Sequence, residues 1–439
     1  MRMQNTVTSN RSEQTPARRV VMAATVGNFV EWFDIGVYGT MSASLSKHLF
    51  DSTDPVSALL STFAVFAVGF VIRPVGGLVF GPMADRIGRN RVLVITVALT
   101  SLSTAAIGIL PSYETIGVLA PLLLIAIRLL QGFGAGGETS SAVGLLYEYA
   151  PRDKRGFYTS LSAATGFVAF VASAGLALGL TLGLGDEAVS EWAWRIPFLV
   201  ALPLGLIALY LRSQLDDSPV FRQMQSDEEL SVSPLRETFQ KARVAMLVLA
   251  GLVVLKGVAH WTLQTFMVSY MEDTLGFTMT ESFLASTIAM AVVMVLIPLS
   301  GIISDKIGRK PVLGAGAVGL FVLAWPAITL MTLENAPLAI AAMVLLALPV
   351  AAYDGAINAI MAEMFPARIR TGAMAIPYNV AVSLLGGTAP YIAAWLTVTT
   401  GYKQAPSFYL MLAAAVTFVT LIRFVRETAG PKATFSPEN

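Results

Sequence analysis

The chain has 439 residues, 55% of them hydrophobic and only 13% charged, with a formal net charge of +1 and a mean hydropathy of +0.68. A soluble domain carries about 25% charged residues, and the near-neutral balance leaves no basic patch of the kind nucleic acid needs. Cysteine is absent and only His48 and His260 supply imidazole, so disulfides, thiol catalysis and Cys-based zinc are excluded and no His-rich metal site is expected. Long apolar runs, many near the roughly 20 residues that cross a bilayer, alternate with short polar connections, the pattern of an all-α polytopic membrane protein.

In chain order, residues 1–19 form a polar tail. The apolar segment that follows contains Glu31 and Asp34 and lacks a small-residue cleavage site, so it reads as a retained first helix rather than a signal peptide. Twelve spans are predicted, at 20–45, 56–82, 91–111, 116–148, 157–182, 193–212, 244–271, 281–302, 312–333, 338–365, 371–399 and 405–426. Spans four and ten are long for one crossing, which calls for tilt or extension beyond the bilayer. Residues 20–212 thus form one six-helix bundle and 244–426 a second. The hydrophilic connection 213–243 reads as a solvated linker, and 427–439 as a tail. In span five, the small residues Gly175 and Gly179 suit close helix packing.

Lys and Arg fix the orientation. Arg86, Arg89 and Arg91 lie between spans two and three, Arg152, Lys154 and Arg155 between four and five, and Lys306, Arg309 and Lys310 between eight and nine. Loops on the other side are mostly acidic, with Lys47 and Lys403 as exceptions. Both termini are therefore expected in the cytoplasm.

The halves echo each other. "GPMADRIGRNR" (81–91) matches "GIISDKIGRKP" (301–311), and "EYAPRDKR" (148–155) matches "EMFPARIR" (363–370). The shared offset of roughly 215–220 positions marks a duplicated six-helix unit, as in transporters that rock two halves about a midplane site. In 81–91, Asp85 can accept backbone N–H groups at a helix start, and Arg86, Arg89 and Arg91 can pair with carboxylates such as Glu148. Asp85, Arg86, Arg89 and Glu148, with Asp305, Arg309 and Glu363, are the candidate cytoplasmic gate.

Gly-x-x-x-Asp-(Arg/Lys)-Ile-Gly-Arg after span two and again after span eight resembles the major facilitator superfamily, and "RLLQG" (128–132) resembles its fourth-helix Arg-x-x-Gln-Gly motif. Within it, "GNFVEWFDIGVYG" (27–39), "RPVGG" (73–77), "QGFGAGGE" (131–138) and "WAWRIPFLVALPLGLIALYLR" (192–212) are similar to the metabolite:proton symporter family, closest in wording to the proline/betaine branch. Members carry proline and betaine, shikimate, citrate or 2-oxoglutarate, and the motif matched by Arg128 is implicated in proton coupling. The resemblance implies the major facilitator fold and a bacterial inner membrane. The chain ends soon after span twelve, so osmotic control through a terminal coiled coil is not expected. Span five lacks the Gly-Pro motif of drug–proton antiporters, which argues against drug export.

At 1.5 Å of rise per residue, Glu31, Arg73 and Glu138 lie roughly 16 Å from the cytoplasmic end of their helices. In the second half, Lys256, Asp354, Asn358, Tyr378 and Asn379 fall at roughly 10–18 Å by the same count. Arg128, Asp34, Tyr38 and His260 come out somewhat further toward the outside. Glu31, Asp34 and Tyr38 recur at i, i+3 and i+7, which is one helical face. Turned to lipid, the two carboxylates would cost about 5–7 kcal/mol together, so they are expected to face the interior. Glu31, Asp34, Arg128 and Glu138 are the candidates for proton coupling, with a counter-charge for the arginines as the plain alternative. Arg73, Tyr38, Lys256, His260, Asp354, Asn358, Tyr378 and Asn379 are the candidates for substrate contact, since a buried Lys needs an anion, either Asp354 or a substrate carboxylate.

The expected function is proton-coupled import of a small polar metabolite bearing a carboxylate, a zwitterion or an organic acid, by one chain acting as a monomer in the lipid bilayer. No metal or cofactor is expected beyond the proton gradient. The alternative is an uncoupled facilitator of the same substrates. An enzyme is not expected, because there is no Ser/His/Asp set, metal cluster or phosphate loop.

Overall fold

A computed structural model describes residues 17–51, 54–87, 89–136, 138–213, 234–365 and 370–431. Of these, side chains are described except at 17–24, 81–87, 89–93, 138, 141, 145, 148, 211–213, 234–241 and 370–372. The described residues are helical with no strand. Eight helices among them are long and apolar enough to cross a membrane, and a further candidate is the pair Asp186–Ala193 and Arg195–Tyr210, bent by 62°. These nine correspond to predicted span two and spans five to twelve. The remaining three are Ala17–Thr40 (span one), Arg89–Gly108 (span three), and Leu119–Gly134 with Glu138–Tyr149 (span four). The helix of span seven starts at Pro234, ahead of the predicted 244, and its apolar part runs over Ala242–Thr274.

Local sequence accounts for where the helices begin and end. Asp54 caps span two, accepting from the N–H groups of Val56 and Ser57 ahead of Pro55. The Ser57 hydroxyl and N–H hold its carboxyl below the usual aspartate range. Thr278 and Glu281 form a capping box at the start of span eight (Met279–Ile307). That helix ends at Gly308, whose φ of +108° is open to glycine and strained for other residues. Gly308 is the glycine of the repeated Asp-Lys-Ile-Gly-Arg motif, which explains its place there.

Five spans depart from regular helix among the described residues: six is bent and carries a π turn at Val189–Ala193, eleven carries one at Val382–Gly386, and the other three border the site. Span two breaks at Ile72, between Pro55–Val71 and Arg73–Ile87. Pro74 has no N–H, so the Phe70 carbonyl loses its i+4 donor, and the Ser383 hydroxyl of span eleven donates to it at 2.7 Å. Span four, predicted continuous over 116–148, breaks at Ala135–Gly136. There the Gly136 carbonyl accepts from Asn379 Nδ2 at 3.2 Å. Span seven widens into π turns at Thr262–Phe266 and Tyr270–Thr274.

The halves meet where span five packs on spans eight and ten, span two on eleven, and span one on seven. Gly175 and Gly179 do not make the expected close packing, since a Cβ at either would meet nothing within 4 Å. Closer crossings occur elsewhere. A Cβ on Gly156 would sit 2.7 Å from the Gly301 carbonyl oxygen, where span five (Arg155–Leu184) crosses span eight. A Cβ on Gly132 would sit 1.8 Å from the Gly69 carbonyl oxygen, so spans two and four touch backbone to backbone. Gly132→Ala is therefore expected to cost at least about 1–3 kcal/mol by overpacking. Thermal unfolding in detergent tests this, with Gly175→Ala as the control that should leave the transition in place.

Candidate functional site

Away from the loops, buried charge collects in two networks, one in each half. In the first, Glu31 (4% exposed) and Arg73 (5%) come from spans one and two. Arg73 Nη1 lies 3.5 Å from Glu31 Oε1, and its guanidinium lies over the Phe70 ring at 4.4 Å. Arg128 of span four lies over the Tyr38 ring at 4.3 Å. It donates to Gln131 Oε1 and, at 3.3 Å, to the Phe66 carbonyl. Gln131 passes the chain on to Thr104 Oγ1 at 2.6 Å, and the Tyr38 hydroxyl donates to the Thr62 carbonyl at 2.9 Å. Glu31, Asp34, Arg73, Arg128 and Gln131 border one cavity of about 10 Å³, room for about one water. The helical face predicted for Glu31, Asp34 and Tyr38 is therefore turned inward, toward the two arginines.

In the second network, Lys256 Nζ of span seven donates to Asp354 Oδ1 of span ten (Ala336–Glu363) at 2.7 Å. His260 Nδ1 lies 3.5 Å from Asp354 Oδ2, and the Tyr353 hydroxyl donates to the Leu252 carbonyl at 2.6 Å. A second cavity of about 10 Å³ lies against Lys256, Tyr353 and Asp354.

Aromatic rings fill the space between the networks. Trp32 stacks on Trp261 with centroids 5.7 Å apart and meets the His260 ring edge-on at 5.2 Å. Phe70 and Phe170 close on Trp261 at 4.7 and 6.2 Å. Since Trp32, Phe70 and Phe170 belong to the first half and His260 and Trp261 to the second, this cluster is a plug across the interface. Three candidates bridge the same interface: Asn379 as above, Asn358 through Nδ2 to the Thr159 carbonyl at 3.3 Å, and Tyr378, which is buried near Thr139 and the Arg73–Glu31 pair.

Contacts between the halves exist on both faces of the molecule. On the face of the basic loops, Asp305 accepts from Gly156 N at 2.8 Å and Phe157 N at 3.0 Å, which caps span five from the other half. Arg309 pairs with Asp305 at 2.8 Å and with Glu363 at 3.0 Å. Glu427, beyond span twelve, accepts from Arg309 N at 2.8 Å and Lys310 N at 3.1 Å. The gate candidates Asp85, Arg86, Arg89 and Glu148, and the coupling candidate Glu138, have side chains outside the described residues. On the opposite face, Ser42 and Ser269 hydroxyls meet at 2.5 Å, Thr280 donates to Asp186 at 3.2 Å, and Lys47 lies 4.0 Å from Glu272. Among the described residues, the halves are therefore bridged on both faces.

Two parts of the site go beyond the residues that the sequence singles out. Gln131 bonds Arg128, whereas the motif they share points to the arginine alone. Gln264, 3% exposed, lies in the π turn of span seven, and its spacing of four from His260 and eight from Lys256 is the signal that points to it.

The family model described as Major Facilitator Superfamily matches residues 24–346 and 249–439. The chain is 38% identical over 421 residues to the proline/betaine transporter of Escherichia coli K12, covering 94% of this chain and 84% of that protein. It is 37% identical to the glycine betaine/proline/ectoine/pipecolic acid transporter OusA of Dickeya dadantii, with the same coverage. Among solved structures, the partially occluded inward-open xylose transporter XylE from E. coli superposes with a TM-score of 0.74 at 17% identity, covering 94% of this chain and 98% of that one. The two six-helix halves, the charge buried within each and these similarities make the chain a multi-pass membrane transporter, not an enzyme, and it belongs to the major facilitator superfamily.

Proposed function

We propose that this transporter is a proton-coupled symporter that imports a small zwitterion of the proline or betaine kind by alternating access. It would work as a single chain in a bacterial inner membrane, with the basic loops and both termini in the cytoplasm. The substrate class follows the names of the relatives at 37–38% identity. The coupling rests on one observation, the buried pair of Arg73 and Glu31 at 3.5 Å.

That pair ties a proton to a carboxylate. Protonating Glu31 alone leaves Arg73 a buried cation without its counter-charge, and bringing in a substrate carboxylate alone places two anions on one arginine. Either state is costly at this burial. Both events together leave Arg73 with one carboxylate partner, so each favours the other by the same coupling energy. Asp34 and Arg128 share the cavity and would tune that balance, as would Glu138. In the other half Lys256, His260, Asp354, Asn358, Tyr378 and Asn379, with Tyr38 in the first, would hold the substrate and pass the interface between states.

The test is uptake of radiolabelled L-proline or glycine betaine into proteoliposomes, with and without an imposed proton gradient, acid outside. Accumulation with the gradient alone is expected. Equal final levels in both conditions would leave an uncoupled facilitator.

The Asp305 cap belongs to the cytoplasmic gate in this reading. Asp305→Ala removes two carboxylate bonds to span five and should cost about 0.5–2 kcal/mol of closure, a roughly 2- to 30-fold shift toward the inward-open state. The chain has no cysteine, so Ser160→Cys, buried where spans five and eight cross, provides a single thiol. Its labelling rate should rise by that factor when Asp305→Ala is added. An unchanged rate would remove Asp305 from the gate.

A further inference from the structure

Span seven carries a polar side chain that the charge networks do not use. Gln264 sits in the π turn Thr262–Phe266, is 3% exposed, and has a hydrogen-bond partner on neither Nε2 nor Oε1 among the described residues. Thr262 Oγ1 in the same turn and Nε2 of the adjacent His260 are in the same condition. Buried polar atoms are nearly always bonded, and a carboxamide with both poles unpaired is an exception that needs a reason. A π turn is a rare local insertion, frequent at functional sites.

The setting of the turn lies on the interface between the halves. It packs on span one and on the outer part of span eleven, with lesser contact to spans eight and ten. Trp261, the residue before it, stacks on Trp32 of span one, and Thr265 within it packs against Gly39 of span one. Lys256, His260 and Gln264 follow one another at steps of four along this helix, and the first two already meet Asp354. Gln264 therefore stands one turn beyond the second charge network, toward the face of the acidic loops.

We propose that Gln264 reads the nitrogen of the substrate, with Oε1 accepting a hydrogen bond from an N–H of the zwitterion and Nε2 donating to its carboxylate. This rests on the zwitterion symport proposed above. A neutral carboxamide offers both a donor and an acceptor to one small ligand without adding a charge to a region that already holds Lys256 and Asp354. It also separates two classes within the substrate family. A zwitterion with an N–H, such as proline, satisfies the acceptor. A fully N-methylated one, such as glycine betaine, leaves it buried and unpaired, the situation in which a polar site discriminates most strongly.

Gln264→Leu removes both poles at nearly the same volume. In proteoliposomes under a fixed proton gradient, it should raise the KM for L-proline about tenfold and that for glycine betaine less than about threefold, so the ratio of the two shifts toward betaine. Gln264→Glu keeps the acceptor and loses the donor. It should keep or increase the preference for proline, and it carries the test if Gln264→Leu does not reach the membrane. An unchanged proline-to-betaine ratio in Gln264→Leu, or a ratio moved toward betaine in Gln264→Glu, would overturn the assignment of Gln264 alone. Wild-type protein that takes up neither zwitterion would overturn the proposed function and this inference with it.

Discussion

Replacing Glu31 by Gln is expected to abolish substrate accumulation while leaving exchange of substrate across the membrane in place. Moving one charge through 100 mV releases about 2.3 kcal/mol. At about 1.4 kcal/mol per decade, this supports roughly 50-fold accumulation of a neutral or zwitterionic substrate. A carboxamide at position 31 cannot take up a proton, so the gradient has nothing to act on there and the ratio should fall to about one. Arg73 would keep its contact with the Phe70 ring, 4.4 Å away, and Gln would still offer it an oxygen acceptor. The mutant should therefore fold and equilibrate substrate down its concentration gradient. The measurement is paired: gradient-driven uptake, which should vanish, and counterflow with substrate on both sides, which should persist. Normal gradient-driven uptake in Glu31→Gln would take Glu31 out of the coupling. Loss of both activities in a folded mutant would instead make the pair with Arg73 a requirement for binding.

The charged core of this site was largely legible in the sequence, and the backbone that holds it was not. Counting rise per residue puts Glu31 and Arg73 at one depth, and they lie 3.5 Å apart. The step of four between Lys256 and His260 puts them on one face, and both meet Asp354. These inferences work because a helix converts spacing directly into position, and because a charge in hydrocarbon has few places to go. The breaks at Ile72 and at Ala135–Gly136 and the π turns of span seven follow a different logic. At the two breaks a carbonyl is taken up from the other half, that of Phe70 by Ser383 and that of Gly136 by Asn379. Spacing along one helix carries no record of such a partner. The same holds for Gly175 and Gly179, whose composition is right for close packing while the crossing falls at Gly156 and Gly301. Asp305 shows the limit from the other side. Its motif and its place among the gate candidates were readable, but its role as the cap of span five is given only by the packing of the halves.

Asp354→Asn should be the most destabilising polar substitution in the second half. Lys256 is 8% exposed and donates to Asp354 at 2.7 Å, and removing one member of such a pair leaves the other buried and uncompensated, at about 3–5 kcal/mol. The double replacement Lys256→Met with Asp354→Leu removes both charges together and should regain most of that loss, because a buried pair often contributes little over apolar groups of similar size. Thermal unfolding of the wild type and the two mutants in detergent gives the comparison. A double mutant as unstable as Asp354→Asn would mean that His260, 3.5 Å from the same carboxylate, depends on Asp354 as much as Lys256 does. If the double mutant is stable, its transport decides what the pair is for. A purely structural pair can be replaced by apolar groups with little change in KM for L-proline. A pair that opens so that Lys256 meets the substrate carboxylate cannot, and the KM should then rise by about 10-fold or more, the equivalent of one lost charge-assisted hydrogen bond. Stability and affinity thus separate in one double mutant, and the two uses of Lys256 predict opposite results for the second measurement after the same result for the first.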